Sequence, residues 1–198
     1  MVNIADILEI PSLKRLRIIA GHGGMNRQVS TVSVMDAPDI YEWMKGGEFL
    51  ITSGNPIKED PDYLATLIEK LDKHGASAFG IKTERFIGMI PQEAIAAGDR
   101  LNFPLIYIPM DFAFTDIINP VLEEVISKQA IQLKFSQKIH QSFTELALTE
   151  QPIEKLLESL QAIIHREVAF FDMQFIKLFI SPKSQGLMLS LIHISEPT

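Results

Sequence analysis

The run Glu48-Phe49-Leu50-Ile51-Thr52 constrains the fold of this chain more than any other segment. Its centre is apolar on both faces, so a strand formed there needs cover on both sides. Such strands sit inside largely parallel sheets with helices above and below. Gly46-Gly47 precede the run and Ser53-Gly54-Asn55-Pro56 follow it, which bounds the strand at both ends.

The same punctuation recurs through residues 1–110. Residues 17–20, 29–34, 78–81 and 104–108 read as strands. Residues 3–10 read as a short helix with Asn3 as N-cap. A second helix is predicted from Asp36 to about Lys45, with Pro38 in its first turn. A third, over 60–73, turns Leu64, Leu67, Ile68 and Leu71 inward and ends at His74-Gly75, where the imidazole can face the last carbonyls. A fourth covers 91–101. Strands alternating with helices across short connections predict a layered α/β domain with a largely parallel sheet. Residues 1–110 are expected to fold as a unit, so that a chain ending near Ala113 would suffice.

A different pattern follows. From 115 to about 149 the chain reads as one helix, with Ile118, Leu122 and Val125 and then Ile139, Phe143 and Leu146 at spacings of three and four. That is the spacing of a coiled-coil seam, and it predicts a homodimer paired through this connector helix. Gln129 and Gln132 interrupt the seam, and Ile131, Leu133 and Phe135 offer a competing face. Pro152 opens another helix, and 168–171 and 175–180 read as strands around a turn at Asp172. The predicted organisation is an α/β domain over 1–113, a connector helix over 114–150 and the start of a second, truncated α/β domain over 151–188.

Composition narrows the chemistry. The chain has 198 residues, no cysteine and a net charge of −7. Disulfides and thiolate chemistry are excluded. An acidic chain is a poor match for nucleic-acid phosphates, so this stretch is not expected to grip DNA by itself. No leader-like segment and no apolar run long enough to cross a bilayer are present, which predicts a cytoplasmic protein without membrane contact.

Gly46, Gly47 and Glu48 at one end of the central strand, and Thr52, Ser53 and Gly54 at the other, are the candidate ligand-binding residues. Strand ends are where α/β folds bind small molecules, and these residues could offer backbone N–H groups, hydroxyls and a carboxylate. Equally, the glycines could make tight turns and Glu48 cap a backbone group. Gly21-His22-Gly23-Gly24 could cradle an anion or be a plain turn. Trp43 reads as a core or interface anchor, or as a stacking platform. The histidines show no metal-ligand spacing. Glu123 and Glu124 point to different helix faces, Ser53 lacks a nucleophile elbow, and no phosphate-binding loop is present. No catalytic residue, metal or cofactor is expected, and the chain reads as a non-enzyme.

Several motifs together carry a resemblance: Ile7-Leu8, Ile19-Ala20-Gly21, Gly24, Arg27 and Asp36-Ala37-Pro38-Asp39. To these add Trp43-Met44-Lys45-Gly46-Gly47-Glu48-Phe49-Leu50-Ile51-Thr52-Ser53-Gly54, Phe79-Gly80-Ile81-Lys82 and Phe103-Pro104-Leu105-Ile106-Tyr107-Ile108-Pro109. Over residues 1 to about 125 they resemble the N-terminal domain of purine catabolism regulator (PucR-type) proteins. The Trp-x-x-Gly-Gly-Glu stretch is the most specific part. Lys138-Ile139-His140-Gln141 and the helix with Leu156-Leu157 resemble the linker and the start of the GAF-like middle domain of those proteins. The resemblance implies a transcriptional regulator in which these domains sense a small-molecule effector and a C-terminal helix-turn-helix domain, beyond this chain, binds DNA. The N-terminal pattern is also similar, more faintly, to the domain at the front of HPr kinases. The alternative it implies is a small α/β enzyme or enzyme accessory domain.

The closing Leu189-Ser190-Leu191-Ile192-His193-Ile194-Ser195-Glu196-Pro197-Thr198 is the in-frame translation of CTGTCTCTTATACACATCTCCGAGCCCACG, a string that resembles a transposon-type sequencing adaptor. Residues 189–198 are therefore expected to be absent from the genomic protein, whose reading frame continues past about Met188. Amplifying the locus across codon 188 checks this. The same ten codons in native DNA would refute it.

Overall fold

The computed structural model describes residues 1–148, 153–164, 168–171 and 177–180. The chain divides into two compact units, Met1–Ala130 and Ile131–Thr198. In chain order the first unit holds β1 (Val2–Asn3), α1 (Ile4–Glu9), β2 (Arg17–Ala20), β3 (Gln28–Val29), β4 (Thr31–Val34) and β5 (Glu48–Thr52). Then come α2 (Tyr63–Lys73), β6 (Ala78–Ile81), α3 (Gln92–Leu101), β7 (Leu105–Tyr107) and the start of α4 (Thr115–Leu148).

Five strands form one sheet in the order β2-β7-β6-β5-β4. β4, β5, β6 and β7 run parallel and β2 closes the edge antiparallel to β7. The protein is thus a layered α/β fold with a mostly parallel sheet. Alternation along the strands sorts the core into two layers. Leu50, Phe79 and Leu105 lie in register on one face, and Ile51, Gly80 and Ile106 on the other.

The first face is covered by α2 and α3. Leu64, Leu67, Ile68 and Leu71 of α2 are fully buried there. Their spacing gives one apolar stripe, and each burial stabilises the unit by roughly 1.5–3 kcal/mol. The second face is covered by α1, the short 3-10 turn Pro11–Leu13 and the first turns of α4, through Ile4, Ile7, Leu13, Ile117, Val121 and Val125. Asn3 caps α1 as expected and goes further: its side chain accepts the Asp6 N–H at 2.8 Å while Asp6 accepts the Asn3 N–H at 2.9 Å, a reciprocal capping box.

Two local readings change. The helix predicted from Asp36 is only a 3-10 turn, Ile40–Trp43. Ile40, Glu42 and Met44 make i to i+3 bonds to Ala37, Asp39 and Tyr41, and Ile40, Tyr41 and Met44 pack against the layer of α2, so the segment follows that surface in tight turns. The strand expected over 29–34 is split at Ser30, whose N–H pairs with Gly47. Before that point β3 pairs with β1, and after it β4 pairs with β5.

The boundary expected at residue 113 falls inside the core of the first unit. Ile117, Val121 and Val125 sit among Phe49, Ile51 and Ile106, so part of the supposed seam is spent within the domain. Lys128 of α4 binds Asp6 of α1 at 2.9 Å, a further tie. The second unit contains the rest of α4, α5 (Ile153–Ile164) and an antiparallel pair, β8 (Ala169–Phe171) with β9 (Lys177–Ile180). The turn expected at Asp172 and residues 189–198 lie outside the described residues.

A polypeptide ending at Ala113 loses three buried aliphatic side chains of α4. At 1.5–3 kcal/mol each that is roughly 5–9 kcal/mol, comparable to the whole stability of a domain. Residues 1–130 should therefore melt cooperatively in circular dichroism and residues 1–113 should not. Equal melting of the two would show that the helix is dispensable.

Candidate functional site

The six residues singled out in the sequence bracket β5 and stand at its opposite ends. Four strand steps of ~3.3 Å separate Glu48 from Thr52, about 13 Å, so the two groups do not converge. At the amino end, Gly46 and Gly47 have φ of 92° and 82°. Gly47 donates to the Gly75 carbonyl at 2.8 Å and accepts from the Ser30 N–H at 2.8 Å. Buried Glu48 uses Oε1 to accept the Lys45 N–H at 2.8 Å, closing the turn, while Oε2 has no hydrogen-bond partner among the described residues. At the carboxyl end the buried Thr52 hydroxyl accepts the Gly54 N–H at 3.1 Å, and Ser53 Oγ accepts the Asn55 N–H at 3.3 Å. Ile87 is seated against Gly54, whose φ is 85°. Most of the polar groups expected to meet a ligand are engaged in their own turns.

A hollow of about 440 Å³ lies past the ends of β4 and β5, lined by Pro38, Asn55, Pro56, Ile57 and Tyr63, but none of the six residues lines it, and the sheet topology builds no switch-point crevice there. Ligand crevices at carboxyl ends of parallel strands arise where adjacent connections leave to opposite faces. Here the turn after β4, α2 and α3 all pack on one face, and the strand order advances without reversal from β4 to β7.

The glycine run 21–24 is likewise filled by the protein. A Cβ on Gly21 would lie 2.0 Å from the Phe103 carbonyl oxygen, one on Gly23 2.0 Å from the Asn102 side chain, and one on Gly24 2.1 Å from the Asn102 carbonyl oxygen. Only Gly21 needs positive φ, at 73°. The Gly21 N–H donates to the Asp99 carboxylate at 2.7 Å. An anion would meet that carboxylate, so the run is a turn shaped by close approach of the α3–β7 connection, not an anion cradle. Trp43 is 66% exposed, which removes it from the core. Tyr41 anchors that turn instead: Lys70 donates to Tyr41 Oη at 2.8 Å and Tyr63 Oη at 3.1 Å, and lies over both rings. His74 does meet a terminal carbonyl, Lys70 O, through Nδ1 at 2.8 Å.

An open hollow of about 540 Å³ lies at the other edge of the sheet, where β2 meets β7 and the β6–α3 connection passes over. Arg17, Thr83 and Tyr107 line it with Ile19, Ile90 and Ile95, and Met89 stands 89% exposed beside it. The Tyr107 hydroxyl donates to Glu84, which holds this phenol above its ordinary range. Beside the hollow, Arg15 makes a two-pronged pair with Asp111, at 2.6 and 3.0 Å, and holds that carboxyl below the usual carboxylate range. Lys82 donates to the Phe112 carbonyl and lies 5.0 Å from the Phe114 ring centroid. Sequence reasoning did not bring these residues together. Lys82 and Tyr107 fall in the motifs that carry the resemblance, but Arg17 reads as an ordinary strand position and 83–90 as a plain connection; only the antiparallel return of β2 brings them together.

If Glu48 is a turn-former, Glu48→Gln keeps the Oε1 acceptor and should cost less than about 1 kcal/mol, whereas Glu48→Ala strands a backbone N–H and should cost about 1–3 kcal/mol. Urea midpoints check both. Equal losses for the two would place the weight on the charge instead.

Comparison with known proteins matches residues 6–125 to the purine catabolism regulatory protein-like family. The Purine catabolism regulatory protein of Bacillus subtilis (strain 168) is 31% identical over 201 residues, covering 99% of this chain, most of its closing ten residues included, and 38% of that protein. The Transcriptional activator PmfR of Paenarthrobacter nicotinovorans is 25% identical over 174 residues, covering 88% of this chain and 36% of that protein. The chain spans less than two-fifths of the length of these curated relatives. A family match over more than half of the residues, carried by the same segments that build the five-stranded sheet and the first turns of α4, shows that the chain belongs to the purine catabolism regulatory protein-like family.

Proposed function

We propose that this chain is the effector-sensing front of a bacterial transcriptional regulator, acting in the cytoplasm, with DNA binding supplied by a part of the protein outside it. The observation that carries the reading is the family match, which runs from the α/β unit into α4. Two further features support it. Both relatives are named as regulators, and a net charge of −7 lacks the basic footprint of a DNA-binding surface. Among the described residues no helix is long and apolar enough to cross a membrane.

Within this reading α4 is the output element and pairs with its copy in a homodimer. Val125 is buried in the domain core and Ile139 and Phe143 are half-buried, which favours pairing through the competing face between them. Ile126, Ile131, Leu133 and Phe135 are each more than half exposed. Ile131 and Phe135 are one helical turn apart and point the same way. A small-molecule effector stabilises such a sensor without being turned over.

A thermal-shift series with purine-pathway intermediates, amino acids and polyamines tests the sensing. An effector at a hundred times its Kd should add about 2.7 kcal/mol of stability. In light scattering the 198-residue chain should be dimeric, and Ile131→Glu with Phe135→Glu should make it monomeric. A monomer before any substitution, at roughly the tens of micromolar where a stable dimer forms, would end the pairing idea. Turnover of a stabilising compound would favour the enzyme alternative.

A further inference from the structure

The hollow between β2, β7 and the β6–α3 connection has the composition of a ligand site. Its volume of about 540 Å³ is within the range that holds small organic molecules. Ile19, Ile90, Ile95 and Met89 supply an apolar wall. One cation borders it, Arg17, whose side chain has no hydrogen bond or ion pair among the described residues. No acid at this edge pairs with it: Asp111 is neutralised by Arg15, and Glu84, which keeps its charge, is turned to the Tyr107 hydroxyl. Arg17 therefore keeps an unmatched charge beside an apolar wall, although the chain as a whole is acidic.

We infer that this hollow binds a small carboxylate with an apolar body, its carboxylate on the Arg17 guanidinium and its body against Ile90, Ile95 and Met89. The inference deepens the sensing reading above and rests on it. A planar guanidinium takes a carboxylate through two parallel hydrogen bonds, a geometry that a lysine does not offer. The apolar wall is what separates such a ligand from free acetate. Thr83 and Tyr107 lie next in sequence to Lys82 and Ile108. A ligand there touches the residues adjoining the Lys82 contact with Phe112, on the segment that leads into α4.

Backbone amide spectra of the isotope-labelled 198-residue chain, titrated with hexanoate, hexanol and acetate, test the inference. Hexanoate should give saturable shifts at residues 17–19 and 83–90, with a Kd on the order of 1 mM for so small a probe. Hexanol and acetate should bind at least about tenfold more weakly, as each lacks one half of the recognition. Arg17→Gln, at an exposed position, should weaken hexanoate about tenfold, and Arg17→Lys should restore part of the loss. Met89→Ser should weaken it a few-fold without touching the charge. Equal binding of hexanol would overturn the carboxylate assignment, and absent, unsaturable or displaced shifts would overturn the site. If an effector from the thermal-shift series still stabilises Arg17→Gln fully, this site fails while the sensing reading stands. If no compound stabilises the chain yet hexanoate saturates these amides, the sensing reading fails instead.

Discussion

The guanidinium of Arg27 holds the α/β unit together at its most crowded point. It donates to the carbonyls of Ala76, Leu101 and Asn102 at 3.2, 3.1 and 2.9 Å and to the Asp72 carboxylate at 2.5 Å, and it lies 5.1 Å from the Phe103 ring centroid. These partners are the C-terminal ends of α2 and α3 and the turns that follow them. Helix C-termini carry partial negative charge and unpaired carbonyls, and a half-buried cation there satisfies both. The glycines at 23 and 24 let the α3–β7 connection approach closely enough for Arg27 to reach it. A lysine at 27 would bring one point charge and could not span acceptors on two helices. The packing of both crossover helices on the sheet, and hence the layer holding Leu50, Phe79 and Leu105, is referred to this knot.

Much of this was legible in the chain because the signals are local. Apolar runs bounded by glycine located β2, β5 and β6 to the residue, and the stripe of Leu64, Leu67, Ile68 and Leu71 located α2 and its buried face. Three things were not legible, each for a physical reason. The 3-10 turn at Ile40–Trp43 goes with the packing of Ile40, Tyr41 and Met44 against the layer of α2, a tertiary fact. The burial of Ile117, Val121 and Val125 depends on which face α4 turns to the sheet, and heptad-like spacing fits a domain core as well as a partner helix. The hollow at the β2 edge joins Arg17 to Tyr107, far apart in sequence, and no local pattern encodes an antiparallel return. At the candidate site, glycines and hydroxyls around β5 are the same residue types whether they hold a ligand or a turn, and here most of their polar groups close turns.

The connection from β7 into α4 is held by cations from two other elements. Arg15, just before β2, grips Asp111, and Lys82, just after β6, reaches Phe112. Both bonds lie on the same face as the start of the helix core. The exit of the chain from the sheet is thus specified by side chains from separate parts of the sequence, not by the connecting residues alone, which gives the first turn of α4 a defined direction.

The way α4 is seated has a mechanical consequence. Its first half is keyed into the sheet by three aliphatic side chains and by the Lys128 to Asp6 pair, like a shaft fixed in a bearing. Sliding it along its axis by even one turn, about 5.4 Å, would empty three core positions at once. Turning or bending beyond Ala130 disturbs none of them. The seated half of α4 is thus fixed in register with the sheet, because its three core side chains can leave their places only together.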